Sequence, residues 1–172
     1  MIFFSDYEAY FIDLATRFTL IGHTEEVSRF ATMDIDDILS DQRGVLDFTS
    51  PVMILENPEG AMGWKHDRLL DENYGAFHIL QQVSRNNPSE KRSVMDTAKE
   101  IGTKVIAKIQ LDKIARMKGE MTPPRFISYF DLGAVKYQKV GPIFSSCYGW
   151  RFEFNIGEET PLGHIHDAAQ WT

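Results

Sequence analysis

The side chains able to do chemistry are few, and the first question is what any group of them could do together. His164-Ile165-His166-Asp167 is the stretch with metal-ligand spacing, because an H-x-H pair on an extended segment sets both imidazoles on one side of the backbone. Two imidazoles and one carboxylate are a small set, and the plainer reading is a polar tail whose histidines are solvated or rest against a neighbour. Asp34, Asp36, Asp37 and Asp41 form an acidic group. They lack the alternating ligands, turn glycine and closing bidentate Glu of a Ca²⁺ loop, and carboxylates favoured at a helix start explain them better. Cys147 could act as a nucleophile only beside a base such as His23, His66 or His78. Its flanks, Ser145, Ser146 and Tyr148, carry no nucleophile signature, so a small buried hydrophobe is expected. C-x-x-C is impossible with one cysteine, and H-E-x-x-H, G-x-S-x-G, G-x-G-x-x-G and G-x-x-x-x-G-K-[ST] are absent. A carboxylate pair for glycoside chemistry stays open, since its separation is a property of the fold. The sequence therefore points to no catalytic residue, no metal ligand and no cofactor.

The composition narrows the partners. The chain has 172 residues, of which 43% are hydrophobic and 25% charged, enough for one globular core without a disulfide framework. With one cysteine, no intramolecular disulfide is expected, which suits a reducing compartment. Eighteen Lys and Arg against 25 Asp and Glu give a net charge of −7, unfavourable for a broad phosphate-binding surface. Lys104, Lys108, Lys113, Arg116 and Lys118 are a local exception, read as the solvated face of a helix. Asp6 and Glu8 interrupt the apolar run Met1–Phe4, so neither a signal peptide nor a membrane span is expected.

The elements that must position these residues follow from periodicity. Ser5 and Glu8 form a capping box, and Tyr7, Phe11, Leu14 and Phe18 recur at helical spacing, predicting a helix over 5–21 that ends at Gly22 and packs on a sheet. Residues 23–50 are less regular, with a short helical turn expected near Asp34–Leu39 that points Ile35, Ile38 and Leu39 inward. Pro51–Leu55 reads as a buried strand and 73–83 as a second, with Phe77, Ile79 and Val83 on one face and His78, Leu80 and Gln82 on the other. Ala61–Asp71, with Trp64, Lys65, His66, Asp67 and Arg68, is expected as a loop or hairpin tip. Asn87-Pro88-Ser89-Glu90 opens a second helix, along which Val94, Ala98, Ile101, Val105 and Ile109 trace an apolar stripe. It can run about 30 residues to Met117, roughly 45 Å, with either a bend at Gly102 or near Asp112, or an end that projects to touch another subunit. Strands are expected at 126–130, 134–140 and up to Ile156, where Trp150, Phe152, Phe154 and Ile156 alternate with a wet face of Arg151, Glu153 and Asn155. Gly141-Pro142 reads as a turn and Gly149 as a bulge or kink. Residues 157–172 read as an arm leaving the 1–156 domain.

This order predicts an α+β fold: a mostly antiparallel sheet with an N-terminal helix and one long central helix packed on one face. The order of elements, with the closing strand Tyr148-Gly149-Trp150-Arg151-Phe152-Glu153-Phe154, resembles the bacteriophage tail-completion proteins, meaning tail terminators and related neck or ring subunits. The resemblance spans roughly residues 5–156. It implies a non-enzymatic virion protein, assembled in the host cytoplasm, that forms a hexameric or dodecameric ring. That ring would cap the tail tube and join it to neck or portal proteins, with DNA passing through it without specific binding. The candidate subunit contacts are Trp64, Arg68, Arg116, Met117, His164, His166 and Trp171. The alternatives are a small α+β enzyme using His164 and His166, or His78 with nearby carboxylates, and a monomeric binding module whose Trp64 loop holds a peptide or protein.

Overall fold

The computed structural model describes residues 4–34, 36–37, 45–65, 68–84, 87–120, 122–144 and 146–158. The fold is α+β. Helix α1 (Phe4–Arg17) is followed by strands β1 (Phe30–Met33), β2 (Val52–Glu56), β3 (Glu59–Lys65) and β4 (Arg68–Gln82). Helix α2 (Pro88–Lys118), a 3-10 turn (Arg125–Tyr129), β5 (Phe130–Ile143) and β6 (Cys147–Glu158) complete it. The strands form one six-stranded sheet in the order β1-β2-β4-β6-β5, with β3 added beside β4. All pairings are antiparallel except β1 with β2, where Phe30 to Met33 run alongside Met53 to Glu56. No helix among the described residues is long and apolar enough to cross a membrane.

The two-residue period of the strands divides the sheet into unlike faces. On one face Met53, Leu55, Phe77, Ile79, Phe152, Phe154 and Ile156 meet Tyr7, Phe11 and Leu14 of α1 and Ala98, Ile101, Val105 and Ile109 of α2. The aromatic and aliphatic stripes of both helices are thus the core faces their spacing predicts. Rings stack through this layer: Phe77 on Phe152 at 5.1 Å between centroids and Phe130 on Phe154 at 4.7 Å. The opposite face carries a smaller core of Phe48, Val52, Ile54, Leu80, Phe144 and Cys147. Phe144 takes φ 47°, an uncommon conformation for a side-chain-bearing residue, and its buried ring packs 5.2 Å from Phe48.

Several local expectations change. Helix α1 ends at Arg17, and residues 18–22 turn instead, with Gly22 at φ 61°. Ser5 lies inside the helix, and Glu8 accepts a hydrogen bond from the Thr32 hydroxyl at 2.7 Å rather than closing a capping box. The hairpin alternative for residues 61–71 holds, but Ala61–Lys65 and Arg68–Asp71 are its strand arms, in β3 and β4, rather than its tip. Residues 125–129 wind into a 3-10 turn where a strand was expected, because Ile127 bonds back to the Pro124 carbonyl. Gly141 and Pro142 lie within β5 at a register shift, not in a turn. Gly149 is a regular strand residue whose Cβ would fall 1.8 Å from the Ile79 carbonyl oxygen, so close backbone approach explains it. Helix α2 runs unbroken for 31 residues, capped where Glu90 N–H donates to Asn87 Oδ1 at 3.1 Å. Gly102 sits against a ring, with its missing Cβ 2.0 Å from Phe152 Cε2. The first two residues of the expected arm, Gly157 and Glu158, are strand, while Ile35, Ile38, Leu39 and Asp41 lie outside the described residues.

Candidate interaction surfaces

The end of α2 is built by a run of apolar and basic residues that the core does not use. Val94, Ala98, Ile101, Val105 and Ile109 face the sheet, which turns Leu111, Ile114 and Met117 away from it. Their exposures are 62%, 39% and 75%, and Ala107 beside them is exposed as well. The helix closes on Gly119, whose φ of 72° lets its N–H reach back to the Ala115 and Arg116 carbonyls. Of the two contacts expected here, Met117 is open. Arg116 instead donates to Ser128 Oγ at 2.8 Å and to the Pro123 carbonyl, clamping the 3-10 turn onto the helix.

The basic run along α2 is less free than a solvated face. Lys104 pairs with Glu100, Lys108 with Asp112, and Lys113 donates to the Phe130 carbonyl at 2.8 Å. Asp112, only 4% exposed, also accepts from Tyr10 Oη at 2.9 Å and so links α1 to α2. Burial and this carboxylate together push the Tyr10 hydroxyl well above its ordinary range, so it stays a donor.

Trp64 and Arg68 fall near the tip of the β3–β4 hairpin, where Trp64 pairs with Leu69 and Lys65 with Arg68. Met62, further down β3, is exposed. His66, His164, His166 and Trp171 lie outside the described residues.

The sheet face opposite the helices holds a polar cluster that alternation alone does not reveal. Ile54, His78 and Arg151 stand in one row across β2, β4 and β6, and Glu56 lies one pleat along on the same face. Glu56 Oε1 meets His78 Nε2 and Arg151 Nε, both at 2.5 Å, while Glu56 Oε2 accepts from the second guanidinium arm at 2.7 Å. Arg151 also pairs with Glu153. The expected wet face of β6 is therefore wrong at Arg151, because a carboxylate on β2 draws its guanidinium against the sheet. Burial alone raises the Glu56 carboxyl, but the hydrogen bonds and charges of Arg151 and His78 outweigh it and hold the group at about 2. Glu153 in turn helps raise Arg151, after its bond to Glu56. His78 is 3% exposed, and its Nδ1 finds no partner among the described residues.

This cluster brings together His78 and a carboxylate, as the enzyme alternative requires. A groove of about 230 Å³ beside it is lined by Glu56, Tyr74, Arg151 and Glu153, but His78 lies behind Glu56 and does not line it. The His78 imidazole is thus buried against the carboxylate that Arg151 also holds. Among the described residues no three His, Cys, Asp or Glu side chains converge as a metal site. Cys147 is fully buried in the second core, while His23 accepts from the Arg29 N–H at 3.1 Å and its ring packs against Phe30 of the first core. No protein-family model matches the chain, and no curated protein is significantly similar to it.

Proposed function

We propose that this protein is a structural subunit of a bacteriophage virion, a ring-forming tail terminator or neck protein acting by assembly rather than catalysis. The observation that carries this reading is the outward face of α2, where Leu111, Ile114 and Met117 are exposed side by side on the last turns of the longest helix. Large apolar side chains grouped on a rigid helix gain by being covered, at roughly 25 cal/mol per Å². A ring subunit needs two different patches, one for each neighbour. The end of α2 serves as one, and the β3–β4 hairpin with Trp64 and Arg68 serves as the other. The excess of acidic residues fits a conduit that must not retain DNA.

The reading is tested by light scattering and negative-stain imaging of the purified chain alone and with a Leu111→Asp/Met117→Asp variant. Rings or discrete oligomers that the variant loses support it. A strict monomer at high concentration, alone and with tail-tube protein, overturns it.

A further inference from the structure

A cleft between the two helices carries an inference that does not depend on the assembly reading. Leu14 of α1, Phe18 just beyond its end and Val105 of α2 line an apolar space of about 290 Å³, bordered by Asp13, Arg17, Lys104 and Lys108. An apolar lining with a few charged groups at its edge is the usual make-up of a small-molecule site, and this volume lies at the small end of that range. Both helices pack on the same sheet face, and the Tyr10–Asp112 hydrogen bond bridges them beside the cleft.

The charges at the rim select the ligand. Three cations face one carboxylate there, in a chain whose net charge is −7. Lys108 is held by the buried Asp112. Among the described residues Arg17 and Lys104, from opposite walls, are engaged only by Asp13 at 3.1 Å and Glu100 at 2.5 Å, each pair lying along its own helix with both partners more than half exposed. Such solvent-exposed pairs contribute little, so either cation can turn to a better-placed anion. A second cleft shares Asp13, Arg17 and Lys108 but adds Asp6 and Asp112, so a ligand's negative end is turned away from that side.

We propose that this cleft binds a small apolar carboxylate. Its hydrocarbon body rests on Leu14, Phe18 and Val105, and its carboxylate sits between Arg17 and Lys104. The probe is 8-anilinonaphthalene-1-sulfonate, an aromatic anion whose emission rises in dry apolar surroundings, titrated into the intact chain at low salt and then displaced by octanoate. The expected result is saturable binding at one site, displaced by octanoate far better than by octanol, with methyl shifts at Leu14 and Val105. Arg17→Glu/Lys104→Glu weakens it about tenfold or more, the loss of at least one charge-assisted contact, while Arg92→Glu/Lys118→Glu, the same change of charge elsewhere on α2, leaves it within about twofold. Arg17→Gln/Lys104→Gln, which adds no new charge, gives a smaller loss in the same direction and serves if the first variant melts early. Absence of saturable binding, equal losses in the rim and Arg92/Lys118 variants, or shifts confined to Leu111 and Ile114 would overturn the proposal.

Discussion

Glu56 has the most at stake of any side chain on the sheet, because its charge is buried and held by two partners. Removing Arg151 while keeping Glu56 leaves a carboxylate with only an imidazole beside it, so Arg151→Met is expected to cost about 3 kcal/mol, read by urea denaturation. Arg151→Met combined with Glu56→Gln should recover part of that loss, since no buried charge is then stranded. The sign of the acid dependence follows from the depressed carboxyl. Its folded value of about 2 lies below the ordinary 4.5, so its contribution is complete above pH 4.5 and is lost as pH falls toward 2. Denaturation midpoints across pH 2–6 should show a fall that Glu56→Gln lacks; equal profiles would mean the cluster does not couple folding to protons. None of this is legible in the sequence, where Glu56 follows an apolar run and Arg151 sits at an outward position. The pairing register of three strands brings them together.

At the scale of elements, Gly102 shows how packing reverses a propensity. In a helix interior Gly→Ala ordinarily gains up to about 1 kcal/mol. Here the added methyl would meet the ring of Phe152, itself stacked on Phe77, so Gly102→Ala is expected to destabilise by about 1–3 kcal/mol, measured as a lower thermal midpoint. A gain instead would show that the ring can move aside. A bend was one expectation for this glycine, and the ring contact is its actual use. The second helix was legible in detail, because cap and stripe are local signals. Strand β1 was not: it is four residues long and joins the sheet parallel to β2, through a pairing between residues more than twenty apart.

For the whole molecule, the outward face of α2 is where stability and assembly separate. Leu111→Asp/Met117→Asp alters side chains that the core does not contact, so thermal stability should change by no more than about 0.5 kcal/mol while any self-association is abolished. A large drop in the melting point would place these residues in a packing role and remove the patch from the argument.

Local rules in the sequence were sufficient for the α+β class, the apolar stripes of both helices, the Asn87 cap and the alternation of β6, because each depends on residues within a few positions of one another. The tertiary structure alone decided the sheet order, the conversion of the 61–71 region into hairpin arms, the Glu56–His78–Arg151 cluster and the cleft between α1 and α2. These depend on which strands become neighbours and how far apart two helices settle on one sheet, and no short-range pattern encodes a distance between residues a hundred positions apart.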